Sequence, residues 1–346
     1  MKKKRVIITV ASIVAALATI AVISSGILYY IVKSPQINID ETAYIYIYPH
    51  DNSDSVINKI KAVAAPSSTI GFRILAEHNN FDSKKRSGKY AINDKDSWHS
   101  IYSRIVTKQQ TPVKVVVPSV RSFEQLSKVV SEQLMFDSLA IQELFTSNVF
   151  VQNLGYTFET LPTLILPDTY EFYWNVEPER FFIRMMNERK KFWNEERLAK
   201  AKALNMTPEE VATLASIVDE ETNDNAEKPI VAGLYINRLK RNIPLQADPT
   251  VKFALGDFAR KRILLADLEV ESPYNTYKNT GLPPGPIRIA TIAGIESVLN
   301  YAKHNYIYMC AKEDFSGTHN FAVTLSEHNA NARRYQAALN KLNIKK

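Results

Sequence analysis

The sequence predicts an α+β protein: a single N-terminal transmembrane helix, a small α+β module, a helical bridge and a mixed α/β domain. Three observations predict it. An uncharged apolar run fills residues 6–32. Short aromatic and β-branched runs such as Ala43-Tyr-Ile-Tyr-Ile-Tyr48 alternate with helical patterns. The 346 residues are 45% apolar and 23% charged, ordinary for a globular chain but too many for one compact core. The expected boundaries are 1–5 for a cytoplasmic tail, 6–32 for the transmembrane helix, 37–118 for the small module, 119–160 for the helical bridging subdomain and 161–346 for the mixed α/β domain.

Val6 to Val32 carries no charge, and little polarity beyond Thr9, Ser12, Thr19, Ser24 and Ser25. At about 1.5 Å per residue it spans a hydrocarbon core of about 30 Å. Four cations, Lys2 to Arg5, precede it and Lys33 follows. That asymmetry predicts an inner (plasma) membrane protein crossing once, with its N-terminus cytoplasmic and everything after Lys33 extracytoplasmic, periplasmic where an outer membrane exists. Tyr29 and Tyr30 sit where an interfacial aromatic belt would lie. A cleaved signal peptide is the competing reading, against which stands the length of the apolar run. No Cys follows the run, which argues against a lipid anchor.

In the small module, Ala43–Tyr48 suits a strand, Val56–Ala65 and Thr69–His78 suit helices, and Lys89–Ile92 a second strand. Asp94–Val106 reads as a helix and Val113–Val117 as a strand ending at Pro118. Exposed tyrosines and tryptophans could stack on sugar rings, and the plainer expectation is that most are core. Ser122 to about Leu161 is helical in pattern. Asp168 follows an apolar run and precedes an aromatic-rich strand, where it holds a turn or serves a site. Phe181–Lys202 reads as one long charged helix. Val231–Leu239 and Ala293–Ala302 read as helices, Leu245–Val251 as a polar turn and Tyr306–Met309 as a strand. The loops 272–277 and 281–287 are dense in Pro, Gly and Asn, and stiff loops of that kind present binding groups.

Thr207 to Thr222 is the most informative helix. Thr207 and Glu210 form a capping-box pattern around Pro208. Val211, Leu214, Ile217 and Val218 make an apolar face that continues to Glu221. A carboxylate at the end of such a face loses solvation, and its pKa rises toward the range of a general acid. A frayed helix end whose Glu faces water fits the same pattern. Asp219 and Glu220 point off the apolar face.

The remaining chemistry narrows by exclusion. Net charge is +7, but Lys2–Arg5 supply four, leaving +3 (7 − 4), so no nucleic-acid partner is expected. The single Cys310 forms no internal disulfide. No metal motif, P-loop, dinucleotide fingerprint or GxSxG elbow occurs, and no cofactor is expected. A carboxylate on an apolar helix, beside amide-, hydroxyl- and tyrosine-rich loops, suits a neutral, hydroxyl-rich polymer. Outside a bacterial membrane the obvious such polymer is the cell-wall glycan.

Ala215-Ser-Ile-Val-Asp-Glu-Glu-Thr222 resembles the A-S-I-[VI]-E-x-E-T signature of the YceG-like endolytic murein transglycosylases. The resemblance continues through Tyr235–Leu239, Leu245–Val251, Ser272–Tyr277, Gly281–Ile287, His319–Phe321 with Glu327–Asn329, and Pro167–Phe172. It departs at Asp219, where the family has Glu, and at Pro162–Pro167, which lacks the family's E-G-Y run. The resemblance implies a LysM-like module at 37–118 and a catalytic domain at 161–346. It also implies that Glu221 is the catalytic acid.

The implied reaction uses one carboxyl group. Glu221 protonates the oxygen between MurNAc and GlcNAc, the sugar's N-acetyl group stabilises the developing cation, and Glu221 then deprotonates the C6 hydroxyl. The product is 1,6-anhydro-MurNAc. Asp219, Glu227, Gln246, Asp248, Asn275, Tyr277 and His319 are the supporting or substrate-binding candidates, each equally readable as a structural hydrogen bond. The expected partners are peptidoglycan glycan strands and cell-wall synthases such as penicillin-binding proteins. A water-using muramidase and a silent wall-binding scaffold remain as alternatives.

Overall fold

A computed structural model describes residues 2–83, 86–260 and 262–341. The chain divides into two compact units, Met1–Val115 with Gln133–Met135 and Glu171–Val176, and Val116–Glu132 with Phe136–Tyr170 and Glu177–Lys346. The stretch 119–160 thus falls almost wholly in the second unit.

In the first unit, helix α1 (Lys2–Lys33) is long and apolar enough to cross a membrane, and its most apolar window is wholly unburied. A membrane anchor and a signal sequence share this form. Strand β1 (Ala43–Ile47) pairs antiparallel with β2 (Gly88–Ile92), Ala43 opposite Ile92. Helices α2 (Ser53–Ala64) and α3 (Ile70–His78) lie between them in sequence, and α4 (Trp98–Val106) follows. The strands alternate as period two requires. Ile45, Ile47, Tyr90 and Ile92 turn inward onto Val56, Ile57, Phe72 and Trp98. Tyr44, Tyr46 and Tyr48 turn outward and stay exposed, whereas Tyr90, Trp98 and Tyr102 are core. Gly71 lets α3 close on α1, since a Cβ there would lie 2.7 Å from the Ile31 carbonyl oxygen. Helix α4 starts four residues later than the sequence pattern suggests. Asp94 and Lys95 form a turn, and Ser97 and Ser100 make a reciprocal capping box that fixes the start. Strands β3 (Val113–Val117) and β4 (Asp168–Phe172) each run across the division of the chain into units.

The second unit opens with α5 (Phe123–Ser131), α6 (Ser138–Thr146) and α7 (Asn148–Asn153), capped by Ser122, Asp137 and Ser147. The charged stretch expected as one helix is two, α8 (Pro178–Phe192) and α9 (Glu195–Ala203). Trp193 leaves helical geometry and is buried, and Asn194 accepts from the Arg197 N–H at 3.0 Å to start α9. Burial of one large ring and a strong N-cap outweigh the continuous amphipathic pattern.

Helix α10 (Pro208–Glu221) is the centre of this unit. Its capping box forms as expected, Thr207 Oγ1 accepting from the Glu210 N–H at 3.2 Å and Glu210 Oε2 from the Thr207 N–H at 2.7 Å. The burial exceeds the expected single face, because every residue from Val211 to Asp219 is buried. Helices α11 (Lys228–Lys240), α12 (Asp248–Leu255) and α13 (Ile292–Leu299) pack around it, with α9 against its side. Thr213 and Ser216 survive there because their hydroxyls donate to Glu209 and Thr213 carbonyls at 2.9 and 2.7 Å. The expected turn at Leu245–Val251 ends at Ala247, and α12 begins at Asp248 with Pro249 in its first turn. Strands β5 (Tyr308–Ala311) and β6 (His319–Ala322) form an antiparallel hairpin two residues later than expected, and α14 (Leu325–Lys341) closes the described chain.

Candidate active site

The end of α10 presents three consecutive carboxylates, and a helix turns about 100° per residue, so each meets different surroundings. Asp219 points inward and is 4% exposed. Lys228 Nζ lies 2.7 Å from its Oδ1, the Thr291 N–H donates to Oδ2 at 2.7 Å, and the Thr291 hydroxyl to Oδ1 at 2.8 Å. Gly294 makes room, since a Cβ there would lie 2.6 Å from both carboxylate oxygens. Asp219 is therefore a buried clamp joining α10, α11 and α13. The expectation that it points off the apolar face is corrected: the face closes around it because distant donors neutralise it. Glu220 accepts two bonds from Arg121, at 2.8 and 2.7 Å, and one from Arg288 at 3.0 Å.

Glu221 has a different environment. Among the described residues no cation forms an ion pair with it. The Tyr235 hydroxyl donates to its Oε1 at 2.6 Å. Burial pushes its carboxyl up from 4.5 to about 7, and the charges of Asp248 and Glu220 push the same way. The Tyr235 bond and His319 pull it partly back. The negative end of α10 also disfavours a second negative charge there. The group is only half-buried by area, because it lies on the floor of an open cleft of about 330 Å³. An acid of this kind exists in both protonation states near neutrality, the condition for proton transfer in either direction.

The cleft brings together five of the residues singled out in the sequence: Glu221, Gln246, Asp248, Tyr277 and His319. Tyr277 donates to Asp248 Oδ1 at 2.6 Å, and burial, then this bond, raises its phenol well above the ordinary value. Gln246 adopts a left-handed backbone, φ 51°, with its N–H donating to the Thr276 carbonyl at 3.0 Å. Its Oε1 accepts from Arg238, which leaves the NH2 to offer a ligand.

Three of the residues stand behind the cleft. Glu227, 5% exposed, accepts the His319 N–H at 2.7 Å and holds His319 Nδ1 at 3.0 Å. That leaves the ring's Nε2 for a ligand. Asn275 is fully buried. Its NH2 donates to the carbonyls of Leu268 and Val270, both at 2.8 Å, and its Oδ1 accepts the Tyr277 N–H at 3.0 Å. It shapes the loop that carries Tyr277. Asp219 is the clamp described above.

Tyr235 and Arg238 complete the wall and were not singled out as site residues. Both lie on α11, three residues apart and so on one face. Arg238 donates to the carbonyls of Pro244 at 2.9 Å and Ile307 at 2.7 Å, which ties α11 to the loops flanking the cleft. A tyrosine and an arginine three positions apart on one helix face are the signal by which the sequence could have found them. Tyr308 and His328, stacked with ring centres 5.3 Å apart, line the far side.

The fold and cleft together define an α+β scaffold that presents two tyrosine-bonded carboxyl groups, Glu221 and Asp248, to a polar groove, with Glu221 at the end of the central helix. Residues 45–334 match the model of the YceG-like family, and the chain belongs to that family. It is 36% identical over 195 residues to the endolytic murein transglycosylase of Bacillus subtilis, covering 56% of this chain and 52% of that protein. It is 33% identical over 138 residues to the endolytic murein transglycosylase of Streptococcus pneumoniae, covering 39% of this chain and 25% of that protein. The chain thus spans about half the length, or less, of these curated relatives. A crystal structure of a YceG-like protein from Listeria monocytogenes aligns with a TM-score of 0.58 and 25% identity, over 84% of this chain and 99% of that one.

Proposed function

We propose that this chain is a membrane-anchored endolytic lytic transglycosylase of nascent peptidoglycan. The observation that carries the reading is Glu221, a cation-free carboxyl raised to about 7 and aimed into a polar cleft. The names of the curated relatives support the substrate and the reaction class. In this reading Glu221 donates its proton to the glycosidic oxygen between MurNAc and GlcNAc as the C1–O bond breaks. The N-acetyl oxygen of the MurNAc shields the developing charge at C1. Ionised Glu221 then takes the C6 hydroxyl proton as O6 bonds to C1, giving the 1,6-anhydro end without consuming water. Proton transfer from a positioned acid is worth about 10²–10⁴ in rate. Tyr235 holds Oε1, so Oε2 is the oxygen that carries the proton. Asp219 positions α10, Glu227 sets His319, and Asn275 sets Tyr277.

The helix α1 serves as the anchor, with Lys2–Arg5 inside and the chain after Lys33 outside. The strand–helix–helix–strand order of the first unit supports a LysM-like, glycan-binding role. Cell-wall synthases are the proposed partners.

Asp248 favours a second reading. It is another carboxylate in the same cleft, and a water-using muramidase needs two. Digestion of uncrosslinked glycan by the wild type and by Glu221→Gln, with products weighed, tests all readings. Transglycosylation gives ends lighter by one water than reducing ends. Reducing ends in place of anhydro ends would establish the muramidase. Equal, absent cleavage by wild type and variant would leave a scaffold.

A further inference from the structure

A second cavity, of about 320 Å³, opens on the other side of α12 from the cleft. Phe253, Phe258 and Tyr274 wall it, with ring centres of Phe253 and Tyr274 4.7 Å apart. Arg121, Arg288 and Glu159 also line it. The two guanidiniums share the single carboxylate of Glu220, which leaves one positive charge over. Glu159 is an exposed side chain, and its hydrogen bond with Thr157, the largest influence on it, holds the carboxyl below its usual range, so it is ionised at neutral pH. Its backbone is pinned, because a Cβ at Gly285 would lie 2.0 Å from the Glu159 carbonyl oxygen. Pro283, Pro284 and Pro286 stiffen that loop. The pocket lining thus combines an excess cation, an anion and aromatic rings.

The pocket and the cleft share walls. Asp248 in the first turn of α12 faces the cleft, and Phe253 five residues on faces the pocket, about 7.5 Å along the axis. Tyr277 and Tyr274 divide in the same way on the neighbouring loop.

Given the glycan reading of the cleft, on which this step rests, we infer that the pocket receives the stem peptide carried by the sugar bound at Glu221. The Arg121–Arg288 pair takes a peptide carboxylate and Glu159 takes the free amine of a diamino-acid side chain. The aromatic walls cover the alanine methyl groups between. A stem whose amine is consumed in a cross-link loses the Glu159 contact. Substrate choice for uncrosslinked strands is then written into this pocket.

The test uses the full chain in detergent micelles, carrying Glu221→Gln, and the tripeptide L-Ala–γ-D-Glu–L-Lys as probe in calorimetric titration. Saturable binding is expected. Glu159→Gln, an exposed change that leaves the circular dichroism spectrum intact, should weaken binding by about tenfold, as loss of one charge-assisted bond does. Acetylating the probe's lysine amine should weaken it equally in the parent and not further in Glu159→Gln. Phe258→Ala should weaken both probes alike. Absence of saturable binding, or acetylation acting as strongly on Glu159→Gln as on the parent, would overturn the inference. The functional reading stands or falls separately. Glycan cleavage without Glu159-dependent peptide binding refutes only the pocket. Such binding in a chain whose wild type cleaves no glycan refutes only the catalysis.

Discussion

Replacing Glu221 by Gln should make the protein more stable, and only above acid pH. The carboxyl titrates at about 7 in the folded chain and near 4.5 when exposed. Its folded pKa is the higher one, so the native state resists ionisation. Below about pH 4 the group is protonated in both states and costs nothing. Between about 4.5 and 7 the unfolded state ionises first, and the cost accumulates. Above 7 it is complete, at about 3 kcal/mol, since each tenfold step in proton affinity is worth about 1.4 kcal/mol. Solvent reaching the half-buried carboxyl makes that an upper value. Gln fills the same space without the charge. The melting temperature of the variant should therefore match the wild type at pH 4 and exceed it progressively to pH 8. At about 2–4 °C per kcal/mol the gap approaches 6–12 °C. Calorimetry of both proteins across that range is the assay. A gap that does not change with pH would mean that Glu221 is solvated, and the acid–base role would lose its physical basis.

Tyr235→Phe removes the donor to Glu221 Oε1. That bond favours the ionised form, so its loss should move the alkaline limb of kcat/KM above pH 7 and lower kcat by up to about a hundredfold; an unmoved limb counts against the contact. Lys228→Met leaves Asp219 charged and buried, at a cost of about 3–5 kcal/mol in urea unfolding. Adding Asp219→Asn should restore most of it, and a single-variant loss below about 1 kcal/mol would refute the clamp. Gly294→Ala puts a methyl 2.6 Å from both Asp219 oxygens and should destabilise by about 1–3 kcal/mol. Stabilisation instead, as expected for Gly→Ala on a free helix surface, would show that the approach is not tight.

Much of the scaffold was legible because its signals are local. The capping residues of α10, the alternation of β1 and the apolar length of α1 are written in adjacent positions. Glu221 was legible for the same reason, as the continuation of a face that Val211 to Val218 define. What was missed depends on partners far away in sequence. Asp219 reads as solvent-facing until Lys228 and Thr291 arrive, the latter 72 positions on. Tyr235 reads as core until Glu221 is placed against it. Glu227 reads as a ligand-binding group because its partner, His319, is 92 positions away, and Asn275 because its partners, though within seven positions, lie in an irregular loop with no periodicity to aim them. The break between α8 and α9 was hidden because charges continue across it on schedule. Pro249 reads as part of a turn, though the same residue suits a first helical turn.

The fan of three carboxylates at the end of α10 has one more consequence, concerning the number of residues rather than their kind. Neighbouring positions differ by about 100° of rotation. Deleting or inserting a single residue between Thr207 and Glu221 would rotate the fan by one place. An insertion would bring Glu220 to the cleft and leave Val218 opposite Lys228, whereas a deletion would turn Glu221 to the arginine pair and bring Thr222 to the cleft. Substitutions along α10 change how well the helix packs. A length change alters which charge meets which neighbour, and nothing downstream restores the phase.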